Sequence, residues 1–200
     1  MSKIKTVGIV GTGVIGTGWI IRNLAHNKIV HVYDQNKNLK NYVLKEIKRT
    51  SKSIKKLFGK KILIKNLKFF NSLEKALSNV DFVQESVLEN YKVKTDLIQK
   101  ISKYVKSNVI ISSSSSGLLP SKIFSKSKHP QRGIIGHPFN PAYLLPAVEI
   151  VPGKKTTRKY LLDANNYYKS ISMKPIMLKK ELPGYLSCLL YTSPSPRDEL

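Results

Sequence analysis

Thr6-Val7-Gly8-Ile9-Val10 runs straight into Gly11-Thr12-Gly13-Val14-Ile15-Gly16, and the reading of this stretch decides the fold. The first five residues are a short apolar run of the kind a buried parallel strand uses. Beyond the glycines, Trp19, Ile20, Ile21, Leu24 and Ala25 continue at helical spacing. G-x-G-x-x-G between a strand and a helix gives each glycine its own task. Gly11 permits the tight turn, Gly13 lets the backbone approach a pyrophosphate, and Gly16 lets the helix pack close against the strand. The helix N-terminus then presents unpaired N–H groups and a positive dipole end to phosphates.

A glycine pattern alone also suits a turn that binds nothing. Here, however, a second apolar run, Ile29-Val30-His31-Val32-Tyr33, ends at Asp34, an acid 18 residues after Gly16. A carboxylate near this spacing takes a ribose 2′-hydroxyl and repels a 2′-phosphate, so the expected cofactor is NAD.

Working outward, strand-like and helix-like stretches alternate. Residues 38–58 read as a long lysine-rich amphipathic helix, and Lys68-Phe69-Phe70 as a strand. Ser72 is placed to cap a short helix through Ala76. Asp81-Phe82-Val83-Gln84-Glu85 is a strand whose loop carries Glu89 and Asn90, followed by a helix through Lys94 and Leu97 to about Tyr104. Asn108-Val109-Ile110-Ile111 is a strand that empties into five serines, Ser112 to Ser116, and Gly117, before a helix at Pro120-Ser121. The serines read as a low-complexity linker or as an active-site loop. Their place directly after a buried-type strand favours the loop, because open α/β sheets bind ligands beyond the carboxyl ends of their strands. The fold class is α/β, a Rossmann-type doubly wound, mostly parallel sheet.

Farther on, His137 stands at the end of the apolar run from Arg132 to Gly136, and Glu149 interrupts the run from Ala147 to Val151. Two adjacent strands would bring these side chains together, and an imidazole oriented by a carboxylate is a general base. A satisfied histidine and a strand-edge glutamate are the plain alternative.

The chain has 200 residues with 41% hydrophobic side chains, enough for one ordinary domain or one domain and the start of another. No apolar run approaches a membrane span of about 20 residues. The start, Met1-Ser2-Lys3-Ile4-Lys5, lacks the features of a signal peptide, so a cytoplasmic protein is expected. The formal charge of +23 favours anionic ligands in general. The lysines are spread along the chain without aromatic interleaving, so dedicated nucleic-acid binding is not expected. No metal is called for.

At this point the chain resembles the 3-hydroxyacyl-CoA dehydrogenase superfamily, NAD-dependent enzymes that oxidise a 3-hydroxyl group to a ketone. The resemblance rests on Ser115–Ser121 (Ser-Ser-Gly-Leu-Leu-Pro-Ser), Gly136–Pro141 (Gly-His-Pro-Phe-Asn-Pro) and Tyr143–Pro146 (Tyr-Leu-Leu-Pro). It extends to Met173–Ile176 (Met-Lys-Pro-Ile) and Lys179–Gly184 (Lys-Lys-Glu-Leu-Pro-Gly), and its motifs run from about Val7 to Leu186. These motifs look most like the L-carnitine 3-dehydrogenase branch. The resemblance implies that His137 is the catalytic base, that Glu149 orients it, and that Ser116 bonds the reacting oxygen. It places Glu89 and Lys94 near the nicotinamide ribose of the cofactor, with Asn140 in the same neighbourhood. Carnitine requires a site for a trimethylammonium group, for which Phe139 and Tyr143 are the candidate aromatic faces.

Family members continue Pro-Gly-Phe/Tyr into an all-helical domain that closes the cleft and forms a homodimer. Residues 1–182 are therefore expected to form the NAD-binding domain and residues 183–187 to begin a truncated helical one. The pattern departs at Cys188, where the family has an active-site asparagine. Cys188 to Asp198 resembles a translated transposon-end adapter, so residues 188–200, including the retention-like Arg197-Asp198-Glu199-Leu200, are read as non-native. Little turnover is expected of this fragment. The alternatives are a 3-hydroxybutyryl-CoA dehydrogenase, whose CoA phosphates could meet the lysines from Lys45 to Lys61, and a non-catalytic NAD-binding or structural protein.

Overall fold

A computed structural model describes residues 4–36, 38–59 and 61–186. The readings made for Met1 to Lys3 and for the tail from Cys188 lie outside the described residues. The first apolar run is strand β1 (Thr6–Val10), followed by α1 (Val14–Ala25), β2 (Ile29–Tyr33) and α2 (Leu39–Phe58). Then come β3 (Leu67–Phe69), α3 (Leu73–Leu77), β4 (Phe82–Glu85), α4 (Tyr91–Tyr104) and β5 (Ile110–Ser113). The chain continues through α5 (Pro120–Ile123), β6 (Gly133–Pro138), β7 (Ala147–Pro152), α6 (Arg158–Ser170) and β8 (Lys174–Met177).

The strands form one sheet in the order β3-β2-β1-β4-β5-β6-β7-β8. Strands β1 to β6 are mutually parallel. β7 returns antiparallel to β6, and β8 runs parallel to β7. The doubly wound class holds, and the order reverses between β1 and β4. That switch point is where such sheets open a crevice at their carboxyl ends.

Helices cover both faces. Val43, Ile47 and Ile54 of α2 and Ala164, Tyr167 and Tyr168 of α6 join α1 over one face, against Val7, Val30, Phe82, Ile134 and Val148. Ala76 of α3, Ile98 and Ile101 of α4 and Ile123 of α5 cover the other, against Val10, Val83, Ile111, Ile135 and Val151. Each fully buried Ile, Leu or Phe contributes about 1.5–3 kcal/mol. On α2 the buried residues Val43, Ile47, Thr50 and Ile54 form a single stripe, while Lys40, Lys45, Lys48, Lys52, Lys55 and Lys56 are exposed. Part of the lysine excess is thus a solvated helix face.

Several boundaries differ by a residue or two from the sequence reading. β3 lies one residue earlier than expected. β5 starts at Ile110 rather than Asn108 and takes in Ser112 and Ser113, both buried. Hydroxyls are admitted to this central strand because buried partners on β4 and α6 satisfy them. No helix among the described residues is long and apolar enough to cross a membrane.

Candidate active site

The three glycines of the first loop occupy three different environments. Gly11 has φ +89°, and a Cβ there would lie 2.7 Å from the Ser86 carbonyl oxygen. A Cβ on Gly16 would lie 1.9 Å from the Gly11 carbonyl oxygen, so only glycine lets α1 approach β1 this closely. A Cβ on Gly13 would meet nothing within 4 Å. Gly13 therefore borders open space at the start of α1, where no side chain caps the helix and the first turn carries no acid.

That space opens into a cleft of about 670 Å³, lined by Gly11, Thr12, Gly13 and Asp34 on one side and by Val93, Leu97 and Tyr104 of α4 on the other. Asp34, just past β2, accepts from the Thr12 amide (2.6 Å) and hydroxyl (2.9 Å) and from the Asn36 amide (2.8 Å). The cleft has the size of a small-molecule site. Its open glycine, uncapped helix start and lining carboxylate suit the phosphates and adenosine of a dinucleotide.

From Asp34 the carboxyl ends of β1, β4, β5 and β6 follow in order, four strand spacings of about 4.8 Å each. The end of β4 leads to Glu89 and that of β5 to the serine run. In that run every serine has a partner, Ser115 and Ser116 sharing Glu89. Tyr168 Oη donates to Gln84 Oε1 (2.7 Å) and shares a bond with Ser112 Oγ (2.8 Å). The Ser113 hydroxyl donates to Glu85 Oε2. Ser114 Oγ accepts from Trp19 Nε1 (3.1 Å) and Gln84 Nε2 (2.8 Å), and pairs with Ser86 Oγ (2.8 Å). Ser115 donates its hydroxyl to Glu89, which also accepts from the amides of Ser116 (2.8 Å) and Gly117 (3.2 Å) and weakly from the Ser116 hydroxyl (3.4 Å). A linker makes no such set of partners, so the run is an anchored loop.

Lys94 is 1% exposed. Its ammonium donates to Glu85 Oε1 (2.8 Å) and to the Val87 carbonyl (3.1 Å), and stands 3.6 Å from Glu89 Oε2. Its charge therefore faces two carboxylates, and any influence on a cofactor runs through Glu89. Burial alone would raise the Glu89 pKa, but the Ser115 hydroxyl, the Lys94 ammonium and the two amides together hold it below the usual carboxylate range.

At the end of β6, His137 is paired in register with Glu149 of β7. His137 Nδ1 lies 2.8 Å from Glu149 Oε2, with Glu149 fully buried and His137 17% exposed. With Glu149 ionised, Nδ1–H donates to it, and Nε2 is left as the ring's basic nitrogen. The residue before the histidine must be glycine, since a Cβ on Gly136 would lie 1.8 Å from Tyr168 Oη. The rings of Phe139 and Tyr185 flank the imidazole at 6.2 and 5.8 Å.

The other two candidates lie elsewhere. Asn140 and Tyr143 line a separate cavity of about 160 Å³ with Thr17, Tyr42, Glu46 and Arg49. Tyr143 packs against the α1–α2 layer, and its hydroxyl accepts from Arg49 at 3.5 Å. The structure thus brings Phe139 to His137 and seats Tyr143 against the opposite layer from Tyr185. Sequence reading missed Tyr185, Glu85, Gln84, Trp19 and Tyr168 as supports of this site. The available signal was polar Gln84 and Glu85 ending a fully buried strand.

With this geometry in place, comparison with known proteins decides the family. The profile described as 3-hydroxyacyl-CoA dehydrogenase, NAD binding domain, matches residues 6–182. The chain belongs to that family. NAD is accordingly its cofactor. Among curated relatives, the chain is 40% identical over 185 residues to an L-carnitine dehydrogenase of Oceanobacillus iheyensis, covering 92% of this chain and 60% of the relative. It is 39% identical over 188 residues to one of Pseudomonas putida, covering 94% and 59%. The chain therefore spans about 60% of the length of these relatives. Among solved structures, an (S)-3-hydroxybutyryl-CoA dehydrogenase of Ralstonia eutropha superposes with TM-score 0.81 at 26% identity, covering 92% of this chain and 66% of that one. A diketoreductase of 24% identity superposes with TM-score 0.88, covering 95% and 69%, and shows the shared fold.

Proposed function

We propose that this chain is the cofactor-binding part of an NAD-dependent dehydrogenase that oxidises a 3-hydroxyl group to a ketone, with L-carnitine as the substrate. The observation that carries the reading is the 2.8 Å contact between His137 and buried Glu149. It stands two strands from the switch-point cleft, at the same edge of the sheet. When bound, NAD supplies the hydride acceptor. As the hydride leaves the carbinol carbon, the hydroxyl proton passes to His137 Nε2. Glu149 stabilises the imidazolium that forms, a contribution typical of general-base catalysis at about 10²–10⁴-fold in rate. Ser116 donates to the reacting oxygen as its charge changes. Glu89 borders the nicotinamide ribose, Lys94 holds Glu89, and the separate cavity that Asn140 lines takes it out of this role.

Carnitine is favoured by the names of the curated relatives and by Phe139 beside the histidine. An aromatic face contributes roughly 0.5–2 kcal/mol toward a quaternary ammonium. Residues 183–187 are proposed to open a helical domain that completes the cleft and the dimer. A 3-hydroxyacyl-CoA is the second reading, supported by the Ralstonia structure. The test is NADH formation by the uninterrupted native protein with carnitine and with 3-hydroxybutyryl-CoA side by side. Carnitine turnover that disappears in His137→Gln is the expected result. Turnover of the thioester alone would overturn the substrate, and unaltered turnover in His137→Gln would overturn the base.

A further inference from the structure

Tyr185 is fully buried, yet it stands in backbone geometry that a bulky aromatic residue rarely adopts, at φ +52° directly after Gly184 at φ +73°. Such a conformation persists only where the surroundings over-determine it. Three contacts do so. The Tyr185 ring lies 5.8 Å from the His137 ring, tilted by 57°. Its hydroxyl donates to the Leu118 carbonyl at 2.6 Å, which satisfies the one polar atom the burial would otherwise strand. Glu181, four residues earlier, accepts from the Ser121 amide at 2.8 Å at the start of α5. Between them Gly184 passes Gly117 closely enough that a Cβ on Gly117 would lie 3.9 Å from the Gly184 nitrogen.

The segment 181–185 is therefore a strap laid over the serine loop, and its aromatic end plugs the space between that loop and the histidine. Tyr185 shares its apolar layer with Val10, Ile111, Ile135 and Val151, the strand residues beneath the cleft. We infer that Tyr185 is a positioning residue, one that locks the His137 imidazole and the Ser115–Leu118 loop into a single unit. This rests on His137 being the base proposed above.

The test uses the uninterrupted native protein with Tyr185→Phe, Tyr185→Leu and His137→Gln. The readouts are the His137 ring resonances by NMR, the NAD dissociation constant, and kcat. In Tyr185→Leu the His137 resonance loses its ring-current shift and kcat falls by about tenfold or more. NAD affinity stays within about twofold. Tyr185→Phe keeps the ring, and so restores the His137 resonance and most of kcat even with the Leu118 bond gone. An unmoved His137 resonance in Tyr185→Leu would overturn the inference. So would an equal loss of NAD affinity in both variants, which marks a general core plug. Should His137→Gln keep full turnover, the base assignment fails by itself, because the effect of Tyr185→Leu on the His137 resonance is read independently of turnover.

Discussion

At the Asp34 end of the cleft the binding surface is mostly backbone, whereas at the His137 end it is side chains held by other side chains. Gly11, Gly13 and Gly16 act by what they lack, and Thr12 and Asp34 close the turn with local bonds across two neighbouring strands. The His137 end draws on β4, β5, β6, β7, α1, α4, α6 and the 181–185 strap. Its buried polar atoms are satisfied by residues distant in sequence, as in Trp19 to Ser114 or Tyr168 to Gln84. The first end can be specified by the single stretch from Thr6 to Asp34. The second exists only once the whole sheet has formed, so the two should fail in different ways.

The largest failure is expected where the side-chain end depends on a buried charge. Lys94→Met leaves Glu85, which is fully buried, without its cation. Removing one partner of a buried pair costs about 3–5 kcal/mol. Glu85→Gln in the same chain should recover much of the loss, since the uncompensated charge goes with it. Denaturant unfolding of the single and double variants measures this. A double variant no more stable than Lys94→Met would mean that the ammonium's bond to Val87, and not the charge balance, is what matters.

At the backbone end the expected effects separate cleanly by glycine. Gly16→Ala forces a methyl into the Gly11 carbonyl, and overpacking of this kind costs about 1–3 kcal/mol or more. Gly13→Ala meets nothing, so the unfolding midpoint should stay within experimental scatter while NAD affinity drops by about tenfold, or 1.4 kcal/mol. Thermal unfolding with and without NAD distinguishes the two. Equal destabilisation by both substitutions would remove the argument that Gly13 borders the phosphate path.

The same contrast explains what could be read from the sequence. β1, β2 and the span of α2 were legible nearly to the residue, because apolar runs, glycine turns and a 3.6-residue stripe are local signals. The His137–Glu149 pair was legible as two polar residues ending one apolar run and interrupting the next, since cross-strand register then needed only one hairpin. The partners of the serine run were not legible. Ser112 to Ser116 are identical in sequence, and only tertiary placement gives them Tyr168, Glu85, Trp19 with Gln84, and Glu89. Nor could spacing show that the Lys94 ammonium faces Glu85 or that Tyr143 packs against the α1–α2 layer.

The smallest effect tests where the two ends meet. Glu89 joins the loop after β4 to the amides of Ser116 and Gly117, and its pKa is held below the usual range by those amides, Ser115 and Lys94 against the opposing cost of burial. A carboxylate whose folded pKa lies below its unfolded value of about 4.3 adds stability above that value. The contribution is lost as pH falls through the depressed folded pKa, because the folded state then takes up the proton. Native Glu89 should therefore exceed Glu89→Gln in stability by a constant margin near neutrality, and the margin should shrink on acidification below about pH 4.3. Urea titrations of both proteins across that range give the sign directly. A margin that widened with acid would mean that burial outweighs the hydrogen bonds. In that case Glu89 would be a strained acid kept for the cofactor side of the cleft rather than the clasp between its two ends.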